Sequence, residues 1–269
     1  MRTLGLEATG WLAGQLAVLT ALGGYLGLGP AGWLAGAAYT ALLWGVLTVA
    51  VERPWALGPA NRVTAGRAVL VGGVTMLVAD AALTGSSPHT VLLVAVASVA
   101  LALDAVDGQV ARRTGTASAL GARFDMEVDA FLILVLSVSA ASVAGPWVLV
   151  IGAMRYLFVA AAWVAPWLRA ELPPSMGRKV VCAVQGVALV VVTSELLPEP
   201  LSVAVAAGAL GSLLWSFGRD TAWLWRANLG AWSSAECAPR TTTTSPSPGA
   251  RSPHGSLRPR STRVTTGCS

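Results

Sequence analysis

The sequence predicts an all-α, polytopic membrane protein, and three observations predict it. Of 269 residues, 55% are hydrophobic and only 12% charged, about half the charged share of ~25% in an average soluble domain. Eight apolar runs, most of them long enough to span a bilayer, fall near 11–28, 31–51, 63–83, 90–108, 124–144, 147–165, 180–197 and 201–217. The basic residues gather in alternate connections between those runs, which is how a chain is oriented in a membrane.

Each run is expected to be a helix. In lipid, every backbone polar group must find a partner within the protein, so only helices or a closed barrel span it. None of the runs alternates strictly between apolar and polar residues, as barrel strands do. The first run has only Arg2 as a basic flank and no cleavage site before the second, so it is expected to remain as a helix. Arg53, Arg62 and Arg67 precede the third run, Arg112, Arg113 and Arg123 follow the fourth, Arg169, Arg178 and Lys179 follow the sixth, and Arg219 and Arg226 follow the eighth. The connections at 29–30, 84–90, 145–146 and 195–200 carry no Lys or Arg. Eight spans then put every basic connection and both termini on one side, and the positive-inside rule makes that side cytoplasmic.

From about Ser233 the chain becomes rich in Thr, Ser, Pro and Arg. It cannot bury enough apolar surface to fold alone, so a disordered tail is expected. The three cysteines, Cys182, Cys237 and Cys268, form no CxxC pair, which excludes a zinc ribbon or a disulfide framework. The net charge of +5 is accounted for by membrane orientation. Without basic and aromatic residues interleaved, it predicts no nucleic-acid partner.

The chemistry is concentrated in one place. Four of the six aspartates, Asp104, Asp107, Asp125 and Asp129, fall within 26 residues, at the expected cytoplasmic ends of two consecutive membrane helices. A carboxylate inside a membrane helix costs ~2.5–3.5 kcal/mol on insertion scales, and grouped carboxylates repel one another. A hard divalent cation, Mg²⁺ or Mn²⁺, offsets both costs. Asp104 and Asp107 share a helix face that Gly108 and Ala111 continue. Gly121, Asp125 and Asp129 form one stripe on the next helix, with Glu127 pointing elsewhere. The short connection predicts antiparallel neighbours whose acidic stripes face one pocket. Small residues there let a bulky ligand approach the backbone, although they also suit plain helix packing. Arg112 is placed to meet a pyrophosphate oxygen; Arg113 and Arg123 read as orienting flanks.

The stretch Asp104-Ala-Val-Asp-Gly-Gln-Val-Ala-Arg112, followed at fixed spacing by Gly121, Asp125 and Asp129, resembles the signature of CDP-alcohol phosphotransferases. Eight fixed letters recur by chance about 10⁻¹⁰ times per starting position at ~5% usage each. Pro59-Ala-Asn61-Arg-Val-Thr64-Ala-Gly-Arg67 resembles the stretch before the family's first core helix, except that the family usually has Asn directly after Pro. The resemblance implies a six-helix core over 56–230, preceded by two additional helices in 1–55 and followed by the tail at 231–269. It implies that the four aspartates hold two divalent ions and that Asp129 is also the base. It implies CDP-lipid contacts from Asn61, Thr64, Arg67, Gly108, Ala111, Arg112, Ser118 and Gly121. A homodimer is a further expectation of the resemblance, and a bacterial plasma membrane is the expected location.

The implied reaction transfers a phosphatidyl-type group from CDP-diacylglycerol to an alcohol and releases CMP. No Ser–His or Cys–His pair suggests a covalent intermediate, and His89 and His254 lie in an outer connection and the tail. Direct displacement is therefore expected. For the acceptor, Arg155 stands out as the single basic residue inside an apolar run, and Arg178 and Lys179 follow Gly177 in a basic patch. Together they suggest a phosphorylated polyol, against simpler roles as an ion-pair partner and as topology anchors. An intramembrane-aspartate transporter for cations or protons is the competing class. It accounts for the acids but not for Gly108, Ala111, Arg112 and Gly121 at their spacing. Retention of all four aspartates argues against an inactive scaffold.

Overall fold

A computed structural model describes the backbone of residues 2–50, 59–85, 89–114, 119–170, 172 and 175–236, and the side chains of 9–45, 63–85, 89–106, 121–170, 172 and 175–229. The expected tail beyond 236, with Cys237, Cys268 and His254, lies outside the described residues. Among the described residues, eight α-helices account for the fold: α1 (Arg2–Leu26), α2 (Pro30–Ala50), α3 (Pro59–Thr84), α4 (Thr90–Thr114), α5 (Ala119–Ala144), α6 (Leu149–Val164), α7 (Met176–Thr193) and α8 (Glu199–Glu236). Short 3₁₀ turns at Pro146–Val148 and Pro166–Arg169 flank α6. No strand occurs among the described residues. The chain divides at Leu229 and Gly230, so all packing below concerns residues up to Leu229.

Among the described residues, five stretches are long and apolar enough to cross a membrane: Val63–Thr84, Gly121–Ala144, Pro146–Val164, Met176–Thr193 and Glu199–Leu229. Thr90–Val106 is a shorter apolar helix. The helices agree with the eight apolar runs, and the assembly is a membrane helix bundle. Large apolar side chains such as Leu34, Trp163, Val164 and Trp215 are exposed on it, as suits a surface that meets lipid rather than water.

The turns explain the helix ends. Proline opens α2 and α3, where its missing N–H costs nothing and its φ is already helical. Gly27, at φ 64°, closes α1. The Leu28 N–H then reaches back to the Gly23 carbonyl at 3.1 Å, a Schellman closure that requires a left-handed residue. Gly85 closes α3 in the same backbone region, and Glu195 adopts it after α7, whereas Gly145 ends α5 at φ 101° and ψ 161°, an extended conformation essentially confined to glycine. All four tight closures fall in the connections that carry no Lys or Arg.

The centre of the bundle is α3, which packs against α1, α2, α4 and α5. Val71, Val74 and Met76 are fully buried along it. α5 extends the core towards α6 and α7 through Leu132 and Leu136. α6 approaches α5 so closely that a Cβ on Gly152 would lie 2.5 Å from the Leu134 Cα. Small residues at crossings of this kind are what hold helices together in lipid. From α7 the buried Gln185 donates to the Ala209 carbonyl of α8 at 2.9 Å and to the Ser212 hydroxyl at 3.1 Å.

Three expectations are corrected here. α3 begins at Pro59, so Arg62 and Arg67 lie within the helix rather than before it. Arg67 tolerates this because it is ion-paired, as described below. For the same reason Arg155 is not the single basic residue inside an apolar span: Arg67 lies in Val63–Thr84, and the other spans include Arg123, Arg178, Lys179, Arg219 and Arg226 near their ends. Finally, α8 runs to Glu236, past Ser233. Its 31 residues up to Leu229 alone, at about 1.5 Å each, measure roughly 47 Å, about one and a half times the ~30 Å hydrocarbon core. Its later turns are packed: Leu224 is buried with Ala162 and Leu168, and Trp225 meets Trp167 edge to face at 5.2 Å.

Candidate active site

Asp104 from α4 and Asp125 and Asp129 from α5 converge, with one carboxylate oxygen of each within 4.8 Å of the others. The i,i+4 spacing in α5 places its two acids on one face, one turn apart. Between these helices stands α3, which packs along both; α4 and α5 have no extended contact with each other among the described residues. Among the described residues, Asp104 therefore does meet the two acids of α5, and it meets them beside α3, on which both helices pack.

The link is Arg67. Its side chain is fully buried, and its guanidinium engages all three acids. Nη1 donates to Asp104 Oδ1 at 2.6 Å. Nη2 lies 2.9 Å from Asp125 Oδ1, donates to the Asp125 carbonyl at 3.3 Å, and is bonded to Asp129 Oδ1. The carboxylates are graded in exposure, at 39% for Asp104, 34% for Asp125 and 21% for Asp129. The cluster is thus open on the side away from Arg67. A planar fork with several fixed donors suits this shared pairing better than the point charge of Lys.

A divalent cation fits this donor set. Oxygen–cation bonds of about 2.0–2.6 Å put two donors on one ion up to roughly 5 Å apart, which matches the spacing of the three carboxylates. The donors are all oxygen and partly accessible, as a hard cation requires.

The other expected site residues distribute as follows. Thr64 is buried one turn before Arg67 on α3, and Gly121 is half-buried at the start of α5. Asn61 lies in helical backbone of α3, and Asp107, Gly108, Ala111 and Arg112 in helical backbone of α4, but their side chains fall outside the described residues. Ser118 lies outside them altogether. Arg155 on α6 is ion-paired with Glu127 of α5 and donates to the Met126 sulfur at 3.0 Å. This accounts for Glu127 standing apart from the acidic cluster. Arg178 pairs with Asp220 of α8 at 3.4 Å, and Lys179 beside it is exposed. Neither Arg155 nor Arg178 makes any of the described contacts with the three converging aspartates.

The residue whose position the sequence left least legible is Arg67. Its signal was nevertheless present: a full charge inside an apolar helix, in a chain with acids inside neighbouring helices, needs one of those acids as a partner.

A family model described as CDP-alcohol phosphatidyltransferase matches residues 58–216, more than half of the chain. The chain belongs to the CDP-alcohol phosphatidyltransferase family. It is accordingly a transferase, and the resemblance in the Asp104–Asp129 stretch is carried by a match across α3 to α7 and much of α8. No curated protein and no solved structure matches the chain at a significant level. The family match begins at residue 58, which leaves α1 and α2 outside it.

Proposed function

We propose that this transferase moves a phosphatidyl group from CDP-diacylglycerol to a phosphorylated polyol, with CMP as the leaving product. The observation that carries the proposal is the convergence of Asp104, Asp125 and Asp129 at one partly open point of the bundle. In this reading Asp104, Asp107, Asp125 and Asp129 hold two Mg²⁺ or Mn²⁺ ions. Bound there, such ions draw charge from the pyrophosphate and stabilise the departing CMP.

The chain's own groups do the rest. Asp129 takes the proton of the acceptor hydroxyl. The acceptor oxygen forms a bond to the lipid-bearing phosphorus as the bond from that phosphorus to the CMP oxygen breaks, and CMP leaves with the electron pair. Arg67 holds one oxygen of each carboxylate, so it orients the acids rather than only contacting the nucleotide. The contacts to the CDP-lipid fall to Asn61, Thr64, Gly108, Ala111, Arg112, Ser118 and Gly121, and the acceptor phosphate goes to Arg155, Arg178 and Lys179. Residues 1–55 form the added helices and 56 onward the catalytic core, which ends with α8 before the tail, with the site and both termini on the cytoplasmic face of a bacterial plasma membrane, and two copies associate.

The test is CMP release by the purified protein from CDP-diacylglycerol with a panel of glycerol phosphate, inositol phosphate and unphosphorylated alcohols. Release that requires a phosphorylated acceptor, stops with EDTA and returns with Mg²⁺ or Mn²⁺ is the expected result. Full release in metal-free buffer sinks the mechanism, and equal use of unphosphorylated alcohols sinks the acceptor assignment.

A further inference from the structure

The α1–α2 hairpin lies outside the family match, yet it reaches the back of the carboxylate site. Tyr39 of α2 is buried. Its hydroxyl donates to the Ala68 carbonyl of α3 at 2.8 Å, one residue beyond Arg67. Its ring stacks, tilted by 33°, on Phe131 of α5 at 5.2 Å, two residues beyond Asp129. One side chain therefore touches both helices whose charged groups must stay in register. Gly72 makes the approach feasible: a Cβ there would lie 3.0 Å from the Tyr39 ring and 2.1 Å from Gln15 Nε2 of α1. Gly32 allows a second close crossing, since its Cβ would lie 3.1 Å from the Met76 carbonyl.

We propose that Tyr39 is a positioning residue for the transferase site: by its hydroxyl on Ala68 and its ring on Phe131, it keeps Arg67 of α3 in register with Asp129 of α5. This gives the added hairpin a catalytic task. The proposal rests on the reading of the carboxylates as a metal-dependent transfer site. Without Tyr39, α3 and α5 keep their direct packing but lose the one side chain that ties Ala68 to Phe131, within two residues of the ion pairs. The guanidinium and the carboxylates then sample positions that bind the cation less well and turn over more slowly, while the approach for the CDP-lipid is untouched.

The experiment compares Tyr39→Phe, Tyr39→Leu and Leu19→Ala with the wild type. Leu19 of α1 is as buried as Tyr39 and lies near Gly36 of α2 in the same core, so its truncation loosens the hairpin's packing while leaving the Tyr39 hydroxyl and ring in place. Tyr39→Phe is expected to lower kcat about three- to tenfold and to raise the Mg²⁺ concentration for half-maximal thermal stabilisation at least threefold, with KM for CDP-diacylglycerol within twofold. Tyr39→Leu is expected to lose more than tenfold in kcat; if it aggregates, Tyr39→Phe decides. Leu19→Ala is expected to lower the thermal midpoint yet keep kcat and Mg²⁺ half-saturation within twofold. Wild-type values in Tyr39→Phe, or losses in Leu19→Ala equal to those in Tyr39→Phe, overturn the proposal. The Mg²⁺ shift needs no substrate. A wild type that binds Mg²⁺ but releases no CMP refutes the transfer reading while the metal readout still judges Tyr39, and a wild type with no Mg²⁺ shift overturns both.

Discussion

Replacing Arg67 by Met keeps most of the buried volume and removes the cation that joins three carboxylates. The oxygens lie within 4.8 Å of one another. At that separation, with an effective dielectric constant near 20, each pair of full negative charges repels by about 3–4 kcal/mol. Breaking a buried ion pair by deleting one partner typically costs about 3–5 kcal/mol. The partial exposure of the acids, 21–39%, lets water and salt screen some of the repulsion, which favours the lower end. By the scaling for folded chains of this size, that corresponds to a fall in Tm of roughly 6–20 °C. Mg²⁺ should recover much of it, because a ligand at 100 times its Kd stabilises by about 2.7 kcal/mol. The assay is thermal unfolding of detergent-solubilised Arg67→Met, Arg67→Lys and wild type, in EDTA and in a Mg²⁺ series. Arg67→Met should be the least stable in EDTA and gain the most from Mg²⁺, with Arg67→Lys between. If Arg67→Met unfolds at the wild-type temperature in EDTA, the guanidinium does not hold the carboxylates together and the account of the site fails.

Asp129→Asn should lower turnover by about 10²–10⁴-fold, the usual range for a general base, with CDP-lipid affinity kept within about tenfold; recovery of near-full turnover with excess Mg²⁺ would make Asp129 a ligand only. Asp107→Asn should instead weaken Mg²⁺ and CDP-lipid binding together, read by titration of both, and unchanged affinities would remove it from the ligand set. Arg155→Met should raise KM for a phosphorylated acceptor at least tenfold and leave KM for the CDP-lipid alone. Its stability cost should be under about 1 kcal/mol because the Glu127 pair is partly exposed, and an unchanged acceptor KM would leave Arg155 as a structural partner of Glu127. A reporter fused after Arg226 should read cytoplasmic and one between Thr84 and Thr90 external, and the reverse would put the site on the wrong face.

The sequence by itself determined the helices, their number and the acids. Apolar runs of membrane length without strict alternation leave the backbone helix rather than barrel strand, and glycine or proline at positions such as Gly27, Pro30, Pro59 and Gly145 marks where each one stops or starts. Asp125 and Asp129 share a face because the helical repeat puts them there, whatever surrounds them. Helix ends were less legible: α8 continues past the polar residues around Ser233, since helical propensity and the packing of Leu224 and Trp225 do not appear in a hydropathy profile. Only the tertiary structure decided which helix stands between the acidic ones, that Arg67 lies on three carboxylates rather than at a membrane edge, and that Arg155 is taken up by Glu127. It also decided that Tyr39, distant in sequence from every acid, sits behind them. Periodicity fixes which residues share a face of one helix. Which faces meet depends on close crossings at glycines such as Gly72 and Gly152 and on the need of a buried charge for a partner, and both are settled between helices far apart in the chain.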